Sequence, residues 1–318
     1  MIRLLVGAAV VLGVLVTATG ALAPLFPRAD IANHFRPYTL AGTGALLALA
    51  LAIRFSAAAW WSATLTALNV VFLLLPLRWS AETSSGQALA TPRHRDLKIV
   101  TFNIAWAARP VDNVALFLLQ EDADIVLLQE VTEAHAAALA SLLMTRYPHS
   151  HSCAVILGCT QAIFAKRPWT SVQHIYRATE NPETIWARFD DAELGTFRLY
   201  SLHLAWPFTP ETQARHVDRL IAISKSIPEP AIFAGDFNLT PWSYQLQRLL
   251  ASTDLRRHAL FLRSWPTDGQ FHLPAPVFLI DHVLTTPDIR TITIQTGPNL
   301  GSDHLPIVAQ LRIGARQY

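Results

Sequence analysis

Charged residues and cysteines are both scarce in this sequence. Charged residues make up only 15% of its 318 residues and hydrophobic residues make up 52%, which is unusual for a wholly soluble protein. The scarcity is concentrated near the start, because residues 1–80 contain five arginines, one aspartate and no other charged side chain. From residue 92 onward the charges nearly cancel, with 20 Lys and Arg against 21 Asp and Glu. This balance argues against the basic face that strong non-specific DNA binding usually requires.

The only two cysteines are Cys153 and Cys159, in the more polar part of the chain. Their spacing is not one that zinc sites use, and no further cysteine exists to complete such a site. The pair could close a small loop as a disulfide, which requires an oxidising compartment, or it could be reduced and buried. The disulfide alternative predicts that the polar part of the chain lies outside the cytoplasm.

Three apolar stretches occupy the start of the chain, at about residues 2–25, 38–55 and 57–77. The first and third are long enough to cross a hydrocarbon core of ~30 Å as helices, and the second could span a thin bilayer. Ala21-Leu22-Ala23 resembles a signal-peptidase site, but the two later apolar stretches favour an uncleaved anchor. The sequence therefore predicts a membrane anchor of three transmembrane helices over residues 1–80.

A short linker separates this anchor from the rest of the chain. Residues 81–95 are rich in small polar residues, and from residue 96 strand and helix patterns alternate over the domain 96–318. The arginines do not settle which side of the membrane the domain 96–318 faces. If the N-terminus were cytoplasmic, two of the five arginines would lie in the cytoplasm and three would lie outside. Taken alone they favour the reverse orientation, against the indication from the cysteines.

Within the domain, one predicted strand after another ends at a polar side chain. The apolar run Ala231–Ala234 stops at Gly235-Asp236-Phe237-Asn238, where a carboxylate and a carboxamide two residues apart point the same way. Alone this is the ordinary composition of a turn, because Asp and Asn commonly end strands. The pattern recurs, however, and polar groups at the ends of neighbouring strands converge on one rim, where clefts form. The other residues of this kind are Asn103, Glu130, His203, Asp281, Asp303 and His304.

The motifs at these positions resemble, in order, those of the endonuclease/exonuclease/phosphatase superfamily. They are Thr101-Phe102-Asn103, Leu128-Gln129-Glu130, Ser201-Leu202-His203, Gly235-Asp236-Phe237-Asn238, Ile280-Asp281-His282 and Ser302-Asp303-His304. Thr240-Pro241-Trp242-Ser243 and Trp265-Pro266 resemble a bacterial, membrane-anchored branch. The resemblance implies an α+β fold, the DNase-like four-layer α/β/β/α sandwich, behind three N-terminal transmembrane helices in a bacterial inner membrane.

The resemblance also implies a divalent cation and a base. Glu130 is the expected principal ligand of Mg²⁺ or Mn²⁺, with Asn103 beside it contacting metal or phosphate. Asp303 is expected either to touch the metal or to fix the tautomer of His304. Asp236 is expected to orient and deprotonate the attacking water.

Further residues are expected to hold the phosphate. His304 resembles the imidazole that contacts the scissile phosphate, and Asn238 and His203 resemble donors to the phosphoryl oxygens. Asp281 is expected to hold a second histidine or ring in place. Arg188 could reach the phosphate from its strand, although a cross-strand ion pair is the ordinary alternative for such a residue.

Three functions fit these features. The first is metal-dependent hydrolysis of phosphodiester bonds in nucleic acid, and the second is hydrolysis of a phospholipid or another phosphate ester at the membrane. The third is a catalytically inactive membrane scaffold, which the complete set of site residues disfavours. Apurinic endonucleases carry an acidic residue where this chain has Ala105, which weakens a second metal position and an apurinic-site role. Besides the bilayer and the phosphodiester substrate, no protein partner is predicted.

Overall fold

The computed structural model contains a group of N-terminal helices followed by two β-sheets with helices on their outer faces. The predicted linker, residues 81–95, lies outside the described residues. The structure describes residues 1–76, 96–105, 111–154, 159–176, 178–259, 261–267 and 277–314.

The N-terminal region is built from three long helices that pack against one another, α1 (Ile2–Ala21), α3 (Arg36–Ala52) and α4 (Ser56–Leu74). Ala and Leu are abundant in all three, and both are strong helix formers. A 3₁₀ turn at Pro27–Asp30 and the single-turn α2 (Ile31–His34) join α1 to α3. The end of α1, the start of α3 and the end of α4 lie on the same side of this group, because Arg36 donates to Asn69 and Asn69 donates to Thr17.

Two helices, α1 and α4, are long and apolar enough to cross a membrane, judged by length and composition over the part of the chain that the structure describes. The prediction of three transmembrane helices is therefore wrong in its count. α3 has only 17 residues, which rise about 26 Å against a hydrocarbon core of ~30 Å. It ends at Ala52 because Arg54 adopts a left-handed conformation, with φ of 53°, which an α-helix cannot include.

Among the described residues the first sheet has six strands, and only β1 (Asp96–Asn103) and β2 (Ile125–Gln129) in it pair in parallel. Helix α5 (Asp112–Glu121) lies between these two strands in the chain, because a parallel pair needs a long crossover. In spatial order the strands are β11 (Ile289–Thr296), β12 (Ile307–Ile313), β1 (Asp96–Asn103), β2 (Ile125–Gln129), β4 (Ala162–Ala165) and β3 (His149–Ser152).

The second sheet repeats this arrangement. Among its described strands the one parallel pair is β7 (Gly195–His203) with β8 (Ala231–Asp236), and helix α7 (Pro210–Ser226) connects them. In spatial order its strands are β5 (Ser171–Ile175), β6 (Glu183–Asp191), β7 (Gly195–His203), β8 (Ala231–Asp236), β10 (Asp281–Thr285) and β9 (Arg256–Arg257).

Helices cover the outer face of each sheet. On the first sheet, α5 and α6 (Glu133–Leu143) share a buried apolar cluster with the strand side chains that point outward. On the second, α7 and α8 (Tyr244–Ser252) do the same. The side chains that point inward form a third cluster between the two sheets. Two sheets flanked by helices confirm the α+β, DNase-like sandwich that the motifs implied.

The two cysteines, Cys153 and Cys159, form a disulfide, as the sequence allowed. Their Cα atoms are 5.5 Å apart, and both side chains are buried in the cluster between the sheets. The bond closes the loop that follows β3 and leads into β4.

Candidate active site

The alternation of side chains along the central strands directs the polar strand ends inward. In β1, Leu97 and Ile99 lie in the cluster between the sheets, and Asn103, at the same two-residue spacing, ends the strand on that side. In β8, Ala234 lies in the same cluster and Asp236 follows it two residues later. Polar groups from opposite sheets therefore meet at one end of the sandwich.

Strand pairing brings the flanking residues to Asp236. Asp236 is in register with His203 on β7 and with Asp281 on β10. On the facing sheet, Asn103 is in register with Gln129, the residue before Glu130. The pairing joins residues that are far apart in the chain.

Asp236 lies at the centre of the cluster and is held by two hydrogen bonds. Its Oδ2 accepts from Asn103 Nδ2 across the sheets at 3.1 Å, and its Oδ1 accepts from the backbone N–H of Asn238 at 2.8 Å. The residue before it must be glycine, because Gly235 has φ of 144° and an added Cβ would lie 2.0 Å from the Leu202 carbonyl oxygen. This close approach of the backbones fixes where the carboxylate emerges.

Glu130 lies on the facing sheet, immediately after β2, and adopts a left-handed backbone with φ of 57°. Its Oε1 accepts from Asn103 Nδ2 at 3.0 Å, so one amide group bridges the carboxylates of Glu130 and Asp236. Asn103 Oδ1 meanwhile accepts from the backbone N–H of Ala105 at 3.1 Å. Asn103 thus organises the two carboxylates, whereas the sequence had suggested direct contact with metal or phosphate.

His203 stands between these two carboxylates. Its Nε2 lies 3.7 Å from Glu130 Oε1 and 3.8 Å from Asp236 Oδ2, and its Nδ1 lies 3.8 Å from Glu183 Oε2. These distances exceed those of hydrogen bonds, and within the described residues neither ring nitrogen has a hydrogen-bond partner. A buried imidazole with both nitrogens unpaired is available to a ligand.

His304 approaches Asp236 from the other side. Its Nδ1 lies 2.8 Å from Asp281 Oδ2, which orients the ring so that Nε2 points at Asp236 Oδ2, 3.7 Å away. Ser302 holds the loop in place, because its hydroxyl donates to the carbonyl of Asn103 at 2.7 Å and accepts from the His304 backbone N–H at 3.0 Å.

Burial and the surrounding charges shift the pKa values of these groups. Burial raises the pKa of Asp236 to about 6, although the His304 imidazole opposes the rise. For His304 burial lowers the pKa, but the carboxylates of Asp281 and Asp236 outweigh it and raise the pKa to about 10. His203 is affected in the same way, because Glu183 and Asp236 overcome the lowering by burial and raise its pKa above the ordinary value.

The donor set fits a divalent cation. Ligand atoms of Glu130, His203 and Asp236 all lie within 4.8 Å of one another, and so do those of Asp236, Asp281 and His304. The two groups share Asp236, and carboxylate oxygens are the ligands that Mg²⁺ and Mn²⁺ prefer. A third group, Cys153 and Cys159 with Glu183, contains disulfide sulfurs, so its cysteines are not free to act as thiolate ligands.

Two residues that the sequence analysis gave as candidate site residues, Asp303 and Arg188, make other contacts in the structure. Asp303 does not orient His304, because Asp281 does, and Asp303 Oδ2 instead accepts from Trp265 Nε1 at 2.9 Å. Arg188 forms ion pairs with Asp190 on its own strand at 2.7 Å and with Glu229 before β8 at 3.1 Å, so it is engaged in ion pairs, although its partners do not lie opposite it on a neighbouring strand as the cross-strand alternative held. It lies five residues along β6 from the position facing His203, roughly 17 Å at ordinary strand spacing.

The sequence analysis missed Glu183 and Trp265 as parts of this site. Glu183 opens β6 directly opposite His203 and also accepts from the Thr160 hydroxyl at 2.9 Å. The Trp265 ring lies 6.4 Å from the His304 ring, measured between centroids. Neither residue ends an apolar run in the sequence, so the pattern that found the other residues could not find these two.

Comparisons with known proteins show the family and the fold. Residues 100–304 match the model of the Endonuclease/Exonuclease/phosphatase family. An endonuclease/exonuclease/phosphatase from Beutenbergia cavernae is 23% identical, with a TM-score of 0.57 and coverage of 70% of this chain and 72% of that one. A humanized D. rerio TDP2 is 14% identical, with a TM-score of 0.56 and coverage of 68% and 98%. Sphingomyelinase C from Streptomyces griseocarneus is 15% identical, with a TM-score of 0.52 and coverage of 68% and 99%. No curated protein sequence matches the chain.

Proposed function

The chain belongs to the endonuclease/exonuclease/phosphatase family, and we propose that it is a membrane-anchored, divalent-metal-dependent phosphodiesterase. The observation that carries this proposal is the convergence on Asp236 of side chains from both sheets. Asn103 bonds to it, and His203 and His304 each point a ring nitrogen at its Oδ2. A buried carboxylate with a purely structural role is expected to accept hydrogen bonds from its neighbours, which offset the cost of burial. Two imidazoles face Asp236 Oδ2, but neither is close enough to donate a hydrogen bond to it.

The metal would be held principally by Glu130, whose ligand atoms lie close to those of His203 and Asp236. When bound, a cation of this kind neutralises charge on the phosphoryl oxygens and on the leaving oxygen. Asn103 keeps the Glu130 and Asp236 carboxylates at a fixed separation through its two donated hydrogen bonds. Asp303 is proposed as a neighbour of the site and no longer as a ligand.

The protein groups would divide the remaining work. Asp236, whose pKa is raised to about 6, would orient the attacking water and accept its proton near neutral pH. His304, held by Asp281 and with its pKa raised to about 10, would present a charged N–H to the phosphate. Nucleophilic attack forms the new P–O bond and breaks the ester bond to the leaving alkoxide. His203 would contact the phosphoryl oxygens from the β7–β8 side, and Asn238, whose Nδ2 donates one hydrogen to the Leu204 carbonyl at 3.0 Å, would contact them with the second amide hydrogen.

A direct test is hydrolysis of bis(p-nitrophenyl) phosphate by the purified full chain in detergent. We expect turnover with Mg²⁺ or Mn²⁺, loss of turnover with EDTA and recovery when the metal is restored. A parallel panel of plasmid DNA, RNA, sphingomyelin and phosphoinositides would identify the substrate class. Turnover that persists in EDTA, or that is absent from the whole panel, would overturn the proposal and favour the inactive scaffold.

The anchor proposal rests on the apolar surface of α1 and α4. Large hydrophobic side chains on these helices are exposed although they lie mid-helix, and such a surface is unfavourable in water. Trp60 and Trp61 are exposed near the start of α4, at the end away from the catalytic domain, as in aromatic belts at membrane interfaces. The Cys153–Cys159 disulfide supports a domain outside the cytoplasm. Alkaline phosphatase fused to the C-terminus should be active, and fused green fluorescent protein should be dark.

A further inference from the structure

The N-terminal helices contact the edge of the candidate active site at the start of α3. Phe35 and Tyr38, at the start of α3, both pack against Phe278, with ring centroids 5.4 Å and 5.9 Å apart. The Tyr38 hydroxyl also donates to the carbonyl of Val277 at 3.1 Å. Residues 277 and 278 lie just before Asp281 in the chain, so the anchor contacts the segment that leads into the catalytic cluster.

Aromatic rings continue from this contact to the catalytic histidine. Phe278 packs against Trp265 at 5.8 Å, and Trp265 lies 6.4 Å from His304 and 6.3 Å from Trp206. Trp206 in turn lies 6.5 Å from Phe208. One continuous row of aromatic side chains therefore runs from the anchor past His304 to the loop that follows β7.

Two polar contacts hold the anchor against the same face of the domain. Asp30 accepts from the backbone N–H groups of Tyr244 and Gln245, at 2.6 Å and 3.1 Å, and so caps the start of α8. Arg28 pairs with Glu211 in the first turn of α7 at 2.8 Å. With the aromatic contact, these attachments fix the rim of the site beside the ends of α1 and α4, where these helices would leave the bilayer.

The outer end of the aromatic row is exposed. Phe208 is 75% exposed and Trp206 is 44% exposed at one end of this row, and Phe35 and Tyr38 are 44% and 45% exposed at the other end, where α3 begins. Single exposed aromatics need no explanation, but these are joined through Phe278 and Trp265 by ring contacts that reach the N-terminal helices. Aromatic side chains located where a membrane-spanning helix ends favour the lipid headgroup region.

We propose that Phe35, Tyr38, Trp206 and Phe208 form an aromatic surface that rests on the bilayer, and that the cleft beside it hydrolyses the phosphodiester of a membrane lipid headgroup. This inference rests on the proposed phosphodiesterase function and names the substrate class of the same site. The reaction cleaves one P–O ester bond of the headgroup phosphodiester with water. It leaves a phosphomonoester on one product and a hydroxyl on the other. The anchor supplies the substrate by keeping the cleft at the leaflet surface.

The test compares a lipid with a soluble diester on the full chain in nanodiscs. Discs contain phosphatidylcholine, sphingomyelin, phosphatidylglycerol and phosphatidylinositol, with product formation followed by ³¹P NMR, and bis(p-nitrophenyl) phosphate serves as the soluble substrate. Phe208→Ala should reduce lipid hydrolysis at least about tenfold, because the exposed phenyl ring can no longer insert into the headgroup region, and should leave hydrolysis of the soluble diester within about twofold. Phe208→Trp should restore lipid hydrolysis.

Met144→Ala is the matched control. Met144 is 66% exposed and follows α6, on the outer helix layer opposite the one that the anchor contacts, so its substitution should change neither activity. A polarity-sensitive dye on Phe208→Cys should be quenched by nitroxide-labelled lipid, and the same dye on Met144→Cys should not.

The possible failures are distinguishable. Hydrolysis of the soluble diester without hydrolysis of any disc lipid would overturn the lipid inference and leave the phosphodiesterase in place. Equal lipid hydrolysis by Phe208→Ala and the unmodified chain, or a dye at position 208 that lipid does not quench, would also overturn it. Loss of both activities in the unmodified chain would defeat the proposed function itself.

Discussion

Two clusters of buried polar residues, named here the anchor cluster among the N-terminal helices and the catalytic cluster at the candidate active site, are built in different ways. In the anchor, Asn33 donates to Asp30 at 2.8 Å, and Arg36 donates to Asn33 at 2.9 Å and to Asn69 at 3.0 Å. Asn69 then donates to Thr17 at 3.0 Å. These contacts have ordinary hydrogen-bond lengths, and the cluster contains both a cation and an anion.

The catalytic cluster has carboxylates in excess and leaves gaps between charged groups. His203 Nε2 stands 3.7 Å from Glu130 Oε1 and 3.8 Å from Asp236 Oδ2, and His304 Nε2 stands 3.7 Å from Asp236 Oδ2, all beyond hydrogen-bond distance. Arg36 Nη2 in the anchor cluster also lacks a partner within the described residues, so the contrast lies in charge: several carboxylates surround two imidazoles at the candidate site, and an excess of buried charge of one sign is costly without a counter-ion. The difference indicates that the anchor cluster fastens helices together, whereas the catalytic cluster is arranged for a ligand. The following predictions test this contrast.

Replacing the shared carboxylate should have the largest effect. Asp236→Asn keeps the shape of the side chain but removes the base and the charge, so kcat should fall by about 10²–10⁴-fold. Thermal unfolding should be unchanged or shifted upward, because the substitution removes a buried charge among other acids. Turnover within a few fold of the unmodified chain would show that Asp236 is structural, like the residues of the anchor cluster.

Separating His304 from its carboxylate partner should have the next largest effect. His304→Gln should lower kcat about 10²–10³-fold by removing the charged donor. Asp281→Asn should lower it less, because Asp281 acts through the orientation and charge of His304. The double variant should be no slower than His304→Gln alone, a non-additivity that steady-state kinetics can measure. Additive losses would assign Asp281 an independent role.

Metal binding should stabilise the catalytic cluster and leave the anchor unaffected. Adding Mg²⁺ or Mn²⁺ to the full chain in detergent should raise Tm by about 3–8 °C, because a ligand that binds only the folded state stabilises it. Glu130→Gln should abolish most of this shift, and Asn69→Ala should retain it although it lowers the starting Tm. An undiminished shift in Glu130→Gln would place the cation elsewhere.

Breaking the contact between the two regions should have a moderate effect. Asp30→Ala removes the side chain that caps α8 and also the acceptor of Asn33 in the anchor cluster, so the free energy of unfolding should fall by about 1–3 kcal/mol. Activity on a soluble diester should fall by less than about threefold, because Asp30 touches no group of the catalytic cluster. Asp218→Ala, on an exposed ion pair with Arg248, is the control and should change neither quantity measurably.

The smallest effect is expected at the surface of the second sheet. Arg188→Ala removes ion pairs with Asp190 and Glu229, which are worth ~0–1 kcal/mol at partly exposed positions. Both kcat and KM should stay within about twofold of the unmodified chain. A selective rise in KM would restore the substrate-binding role that the sequence suggested.

Much of the fold and part of the site were predictable from local patterns. Apolar runs that end in polar residues identified Asn103, Glu130, His203, Asp236 and Asp281, because side-chain alternation along a strand is a local property. The lengths of the N-terminal helices were less predictable. A hydropathy window over residues 38–55 does not register the left-handed Arg54 that ends α3 early.

The sequence by itself determined the family and the strand-end residues, and it allowed a disulfide between the two cysteines without deciding it. The tertiary structure decided which groups meet. It placed Asp281 rather than Asp303 on His304, brought Glu183 opposite His203 and engaged Arg188 in surface ion pairs. These contacts depend on the register between strands that are distant in the chain and on the facing of two sheets. Local side-chain preferences do not encode that register, because shifting a strand by two residues keeps the same alternation while changing every partner.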